Sequence, residues 1–276
     1  VKGMDKMMWT RAELKGRAKE ILRRFYLPAV VVCLIAGIFA GQYGSARSSS
    51  SSSVGSNTSI QSSYGTLLNG ETLDENQIVQ QGISMVSTFF GSVTGLIFLT
   101  MGFLISILGL LIKIFVGSPL EVGEQHFFLK AQVQEVKISD ILYAFQCGNY
   151  GNIVITTFLM NVKTFLWSLL LVIPGIIKRY EYYMVPYILA ENPYLDQARV
   201  FDLSRQMMDG EKMNAFVLEL SFLPWQILGS ITAGLSNVLW TQPYMAGTKA
   251  ELYAVLRLRA LEQGYAGRTE LPGITV

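Results

Sequence analysis

Apolar segments long enough to enter a bilayer alternate with polar segments along the chain. Residues 26–44 have the length of about 20 residues that an α-helix needs to cross a membrane. Residues 83–116 would form a helix of about 50 Å, longer than a hydrocarbon core of about 30 Å, so this helix must tilt, bend or protrude. The pattern predicts six spans: residues 26–44, 83–116, 153–173, 176–190, 214–228 and 231–247.

This pattern is typical of the all-α class, as a polytopic transmembrane helical bundle of about six spans with amphipathic helices at the membrane interface. Residues 26–276 are expected to form a single membrane domain. Residues 1–25 are expected to form a separate basic amphipathic helix, which a capping box at Thr10 begins. A similar amphipathic pattern between Asn192 and Gly210 predicts a second interfacial helix.

The distribution of basic residues predicts the orientation. Eight Lys and Arg residues lie in residues 1–25, whereas the Ser-rich loop 45–80 contains only Arg47. The positive-inside rule therefore places the N-terminus in the cytoplasm and this loop outside the cell.

The basic C-terminal segment bears on the number of spans. It contains Lys249, Arg257 and Arg259, and placing these residues in the cytoplasm requires the last apolar segment to turn near Gly229-Ser230. Five spans are the alternative. With six spans both termini lie inside, and the cytoplasmic segments are residues 117–151, 191–213 and 248–276.

Small residues form a stripe along the long second span, because their spacing keeps them within a narrow arc of the helical wheel. In lipid such a face lets a neighbouring backbone approach closely, so we expect a helix-packing surface. The alternative is that Gly102 and Gly109 permit bending during a transport cycle. The stripe comprises Ser84, Gly91, Gly95, Gly102, Ser106 and Gly109.

The composition supports a membrane protein and excludes several other classes. The chain is 51% hydrophobic and 15% charged, against about 25% charged in soluble domains, so its main partner is expected to be the lipid bilayer of the cell membrane. A net charge of +2 does not suggest nucleic acid. Cys33, Cys147 and the single His126 lack metal-ligand spacing. No catalytic or nucleotide-binding signature is complete, and we expect no enzymatic activity, cofactor or metal.

Charged residues within apolar segments are the best candidates for function, because each costs about 2.5–3.5 kcal/mol at mid-bilayer. Several lie near Pro174-Gly175, a pair that should break the helix and start a return limb too short for a comfortable span. The candidate polar cluster comprises Lys163, Lys178, Arg179, Glu181 and Glu219.

Six spans put this turn outside the cell, with Lys178 and Arg179 on the side that basic residues avoid. Either the hairpin is re-entrant and its charges pair with Glu181 or Glu219, or the topology differs here. We expect the re-entrant hairpin. The alternative role for these charges is to snorkel to the interface or to fasten helices together.

Several segments form a recognisable combination of motifs. They are Met8-Trp9-Thr10-Arg11-Ala12-Glu13-Leu14-Lys15, Ile173-Pro174-Gly175-Ile176-Ile177-Lys178, Tyr183-Met184-Val185-Pro186-Tyr187-Ile188-Leu189-Ala190, Ser204-Arg205, Met207-Met208-x-Gly210, Phe216-Val217-Leu218-x-Leu220-Ser221-Phe222, Pro243-Tyr244 and Ala250-Glu251-Leu252-Tyr253. With these motifs the chain resembles the domain of unknown function 975 family of bacterial polytopic membrane proteins, over nearly its whole length except the Ser-rich loop. The resemblance implies a six-helix inner-membrane protein and brings no established activity, ligand or catalytic residue.

Three functions are compatible with these features. Short helices interrupted by Gly and Pro, with buried charge, are typical of moving bundles, so a transporter, channel or transport-accessory subunit is expected first. The alternative is a non-transporting scaffold that binds itself or another membrane protein. A membrane-embedded enzyme acting on lipid is the third, although no residue constellation for it stands out. No motif indicates which small molecule is bound.

Overall fold

The computed structural model describes residues 9–39, 75–232 and 234–274, and all regular elements in these ranges are helical, which confirms the all-α class. Most of the predicted Ser-rich loop lies outside the described residues. The helices are α1 (Arg11–Phe39), α2 (Glu75–Ile112), α3 (Ser118–Ala131), α4 (Tyr143–Gln146), α5 (Tyr150–Leu170), α6 (Val172–Glu181), α7 (Val185–Glu191), α8 (Gln197–Met207), α9 (Lys212–Leu220), α10 (Leu223–Ile231) and α11 (Gln242–Glu262). Wider π-helical turns, Lys113–Gly117 and Asn237–Thr241, precede α3 and α11.

Three helical segments in the described ranges are long and apolar enough to cross a membrane. They are Arg11–Phe39, Gly82–Ala131 and Tyr150–Leu170, and they contain or overlap the first three predicted spans. The segments predicted as spans four to six are instead divided among α6, α7, α9, α10, the second π-helical turn and α11. Six full spans are therefore not established by the helices themselves.

The described residues fall into two compact units, one made of residues 75–111 and the other of residues 9–39 and 112–274. The first unit is a single helix, most of α2. Its described side chains are exposed, and hydroxyl groups donate to carbonyls one turn back, as Thr88 does to Ser84 at 2.7 Å and Ser106 to Gly102 at 2.8 Å. These bonds satisfy polar groups within the helix.

In the larger unit, α1 packs along α11, and α3 packs on both α1 and α7. Large side chains such as Trp9, Phe127 and Tyr253 are fully buried between these helices. Gly247 of α11 faces Ala18 of α1, and a Cβ added at Gly247 would lie in ordinary van der Waals contact, 3.5 Å from the Cβ of Ala18. Burying each large apolar side chain contributes about 1.5–3 kcal/mol, so this core holds the helices together.

The basic N-terminal helix and the first predicted span follow each other in α1 and are separated by a kink at Phe25, the boundary that the sequence suggested. The Thr10 hydroxyl accepts the Glu13 N–H at 3.2 Å, as the capping box predicts. The helix bends at Phe25, whose φ and ψ are −127° and 36°, and Pro28 follows it. Pro28 lacks the N–H of a helical hydrogen bond, which explains the bend. Apolar residues before the bend, including Leu14 and Ala18, are buried within the protein.

The first hairpin turns at Leu171, three residues earlier than Pro174-Gly175. Leu171 is extended, with φ and ψ of −158° and 140°, between α5 and α6. Pro174 is compatible with the first turn of α6, where N–H groups have no intrahelical partner. Gly175 lets the two limbs pack closely, because a Cβ there would collide with Ser168. The Pro-Gly pair therefore shapes the return limb and is not the turn itself.

The second hairpin joins α9 and α10 to α11. It turns after Ile231, later than the predicted Gly229-Ser230, with Gly234 at a φ of 87°. Gly229 instead packs against Asn237 on the opposite limb, where an added Cβ would collide with the amide group. The Tyr26 hydroxyl donates to the Leu239 carbonyl at 3.0 Å, which ties this hairpin to α1.

The amphipathic helix α8 begins later than predicted and packs inward. Asp196, not Asn192, caps it, because the Asp196 carboxylate accepts the Ala198 N–H at 3.0 Å. Its predicted apolar face, including Val200 and Met207, is buried in the core of the larger unit. This face is therefore satisfied within the protein and does not need a membrane surface.

Two ion pairs attach the C-terminal segment. The buried Glu191 accepts hydrogen bonds from Arg257 at 2.8 Å and from the Tyr253 hydroxyl at 2.6 Å. Arg199 of α8 donates to Glu270 at 2.7 Å. Charge-assisted hydrogen bonds of this kind contribute about 1.5–3 kcal/mol each. The Glu191–Arg257 pair thus ties α11 to α7, and the Arg199–Glu270 pair ties residues 265–274 to α8.

Candidate functional site

The predicted polar cluster divides into two carboxylate centres. In the first, Glu181 at the end of α6 is 8% exposed and accepts from Lys178 at 2.6 Å, the pair that the sequence suggested. Lys212 of α9 approaches the other carboxylate oxygen at 2.8 Å, and Arg205 of α8 lies 3.7 Å away. Three cations from three helices surround one carboxylate, so this centre fastens α6, α8 and α9 together.

In the second centre, Glu219 of α9 is the acceptor. The Tyr180 hydroxyl donates to one oxygen at 2.6 Å, and the Tyr183 hydroxyl donates to the other at 2.9 Å. The Lys249 ammonium of α11 is 2.9 Å from that second oxygen. The hairpins α5–α6 and α9–α11 are thereby connected through polar side chains within a mostly apolar region.

The two remaining members of the predicted cluster do not pair with carboxylates. The Lys163 ammonium lies 3.8 Å from the ring centroid of Phe201, a cation–π contact. Arg179 follows Lys178 on α6 but is exposed and forms no ion pair within the described residues. An unpaired guanidinium beside a cavity is available to a ligand.

Arg179 and Lys249 lie on the walls of two cavities. The larger cavity has a volume of about 520 Å³ and is also lined by Tyr180, Glu219 and Gln226. The smaller cavity has a volume of about 330 Å³. Its wall adds residues from α3, α5, α7 and the connection between α6 and α7, namely Glu121, Gln125, Met160, Asn161, Thr164, Tyr182, Tyr183, Pro186 and Tyr187. Both volumes suit small molecules.

Lys249 is charged in this environment. Burial alone would lower the pKa of Lys249, but the carboxylate of Glu219 beside it outweighs this effect and raises the pKa above its ordinary value. The Lys249–Glu219 pair therefore keeps its two charges while contributing no net charge to the cavities.

Several residues of this site were not singled out by the sequence. In the sequence Lys249 bears only on topology, and nothing marks Glu121 or Gln125 as site residues. These residues come from α3 and α11, which are distant in sequence, so no spacing rule relates them. Glu121 follows the long apolar segment directly, which was the one available signal.

The predicted packing stripe lies on an open face of α2. A Cβ added at Gly91, Gly95, Gly102 or Gly109 would meet no heavy atom within 4 Å among the described residues. The face thus has the small side chains that the sequence indicates, and its role in helix packing stays a prediction. Elsewhere in the described ranges, no group of three or more His, Cys, Asp and Glu side chains could hold a metal ion.

Comparison with known proteins identifies a family over part of the chain. Residues 168–260 match the family model described as Protein of unknown function (DUF975), which confirms the resemblance in this segment. The matched segment contains α6 to α10 and most of α11, and so the Glu219 centre, Arg179 and Lys249. No curated protein and no solved structure matches the chain.

Proposed function

We propose that this protein is a multi-pass protein of the cell membrane that binds a small polar solute at Arg179 and Lys249 and takes part in its transport, as a transporter, channel or accessory subunit. The observation that carries the proposal is the pair of polar cavities sharing these two cations. Polar and charged groups are expensive within apolar surroundings, and in membrane proteins they mark solute and ion pathways.

The topology that accompanies this proposal has both termini in the cytoplasm and two hairpins entering the membrane from that side. The α6 limb has ten residues, about 15 Å at 1.5 Å per residue, or about half of a hydrocarbon core. It cannot cross alone, so a re-entrant hairpin fits it. Lys178 and Arg179, seven and eight residues beyond Leu171, then return to the cytoplasmic side, which removes the conflict with the positive-inside rule.

Exposed side chains support this placement. Leu169, Ile173 and Ile231 near the hairpin tips are each more than 70% exposed, which is suited to contact with lipid. Closer to the basic part of α1, the rings of Tyr26 and Trp240 lie 6.5 Å apart. Tyr and Trp concentrate at the membrane interface, so this pair is expected to mark the cytoplasmic boundary.

Flux through reconstituted liposomes tests the proposal. The full chain would be assayed with radiolabelled solutes of three charge classes: acetate, choline and L-leucine. We expect uptake of at least one class above that of protein-free liposomes, and its loss in Arg179→Gln. Arg268→Gln is the matched control, because Arg268 is exposed and lies outside both cavities. Uptake equal to that of protein-free liposomes for every solute would contradict a transporter or channel.

A non-transporting scaffold is the second candidate, and the open small-residue face of α2 favours it. Close helix packing through this face needs the glycines, because a larger side chain would hold the partner backbone away. A scaffold of this kind predicts self-association or partner capture that Gly95→Leu abolishes. Chemical crosslinking in membranes would measure it, with Gly16→Leu, on the exposed side of α1, as the control.

A further inference from the structure

The smaller cavity has one acidic and one basic side chain on its wall that have no ion-pair partner among the described residues. Glu121 and Arg179 form no ion pair within the part of the chain that the structure describes. Lys249 on the same wall is neutralised by Glu219 at 2.9 Å. The cavity therefore offers an unpaired carboxyl group and an unpaired guanidinium to its contents.

Two buried polar atoms at this cavity have no hydrogen-bond partner. They are the Tyr187 hydroxyl and the side-chain oxygen of Gln125, whose residues are 3% and 9% exposed. Leaving such an atom unsatisfied costs about 1–3 kcal/mol, so a core built only for packing would not retain two of them at one place. A polar molecule that bonds to these groups would recover part of that cost.

The volume limits the size of this molecule. At about 330 Å³ the cavity is at the small end of ligand pockets, which range over about 300–1,000 Å³. It is too small for a nucleotide or a peptide of several residues. Asn161 and Thr164 of α5 add neutral polar groups to the wall, while Met160 and Pro186 add apolar surface.

We infer that the smaller cavity binds a small zwitterion, a molecule with a primary ammonium and an acidic group, holding the ammonium at Glu121 and the acidic group at Arg179. Arg179 suits the acid because a guanidinium donates two parallel hydrogen bonds to a carboxylate or phosphate. Two sources share this chemistry: a free α-amino acid and the ethanolamine phosphate headgroup of a lipid. The inference deepens the proposed function and rests on solute binding at this site.

Equilibrium binding to the purified full chain in phosphatidylcholine nanodiscs tests the inference. The probes are L-leucine, N-acetyl-L-leucine, which lacks the ammonium, and L-leucinamide, which lacks the carboxylate. We expect both derivatives to bind at least tenfold more weakly than leucine. If leucine binds and N-acetyl-leucine binds equally well, the role of Glu121 is overturned, and the inference with it.

Charge-removing variants assign the two groups. Glu121→Gln should weaken leucine binding about tenfold and leave the binding of N-acetyl-leucine unchanged. Arg179→Gln should likewise weaken leucine binding about tenfold and leave the binding of leucinamide unchanged. Such a change corresponds to about 1.4 kcal/mol. Glu262→Gln and Arg268→Gln are matched controls, since both residues are exposed and outside the cavity. Size-exclusion chromatography and melting curves establish that each variant is folded.

Nanodiscs containing phosphatidylethanolamine distinguish the two sources. If this lipid stabilises the wild-type chain but not Glu121→Gln, and leucine does not bind, the zwitterion is a lipid headgroup. The inference then holds, and the proposed function in solute transport is overturned. If leucine binds but no flux is observed, transport fails and the inference again holds. If neither leucine nor this lipid binds while acetate or choline is transported, the inference is overturned and the proposed function stands.

Discussion

Glu219→Gln should destabilise the connection between the two hairpins. The variant removes the negative charge that balances Lys249, whose ammonium lies 2.9 Å from the Glu219 carboxylate. A glutamine NH2 group in place of that oxygen cannot accept a hydrogen bond from the ammonium. The side chains of Glu219 and Lys249 are 18% and 23% exposed. Removing one partner of a fully buried pair costs about 3–5 kcal/mol, and partial access of water to Lys249 reduces this, so we expect a loss of about 2–4 kcal/mol.

A double-mutant cycle isolates the ion pair from the two tyrosine hydrogen bonds. Lys249→Met leaves Glu219 with the hydroxyls of Tyr180 and Tyr183, and should cost about 1–3 kcal/mol. The double variant Glu219→Gln/Lys249→Met should cost less than the sum, with a coupling energy of about 1.5–3 kcal/mol. Equilibrium unfolding in mixed detergent–SDS micelles measures all three. Additivity within about 0.5 kcal/mol would refute the pair as an energetic connection.

Three further outcomes follow from the contacts. Hydrogen bonds from Arg199 and the Gly267 N–H hold the pKa of Glu270 at about 2, so the stability they contribute should be complete above the unfolded pKa of about 4.3 and lost as pH falls toward 2. Acid unfolding followed by fluorescence should therefore show a weaker dependence of stability on pH in Glu270→Gln than in the wild type. An unchanged dependence would be contrary evidence. Gly123→Ala should destabilise the protein by about 1–3 kcal/mol, because the added Cβ would collide with the Ile141 carbonyl, whereas Gly16→Ala, where a Cβ meets no atom, should stabilise it by about 0.5–1 kcal/mol. Equal effects of the two substitutions in thermal melts would be inconsistent with this packing. In a chain without Cys33 and Cys147, an impermeant thiol reagent added to intact cells should label Ser62→Cys in the Ser-rich loop but not Lys178→Cys, and external labelling at 178 would exclude a cytoplasmic re-entrant hairpin.

The parts of the fold that local pattern determines were predictable. Apolar length identified the helices over residues 26–39, 83–116 and 153–170, and the Thr10 capping box marked the start of α1. The buried face of α8 followed from its 3.6-residue period, since that period fixes which side chains share a face. What this face packs against was not predictable. The pattern is the same whether lipid or protein covers it.

Turns and the site depend on contacts that are distant in sequence. Pro174-Gly175 reads as a break, yet proline fits the first turn of a helix, so the chain could turn three residues earlier. Glu181 and Glu219 were grouped because both are charges in apolar segments, whereas α8, α9 and α11 supply separate cations to each. Glu121 and Arg179 are 58 positions apart in the sequence, and only the packing of α3 beside the hairpins places them on one cavity wall.

Electron cryo-microscopy of the full chain in nanodiscs, with and without saturating L-leucine, tests the central claim most directly. Polar cavities at Arg179 and Lys249 should be open in both maps, and leucine should add density in the smaller one, between the guanidinium of Arg179 and the carboxylate of Glu121. A map in which side chains fill both cavities, or in which Arg179 and Glu121 pair directly with each other, would contradict a solute-binding site here.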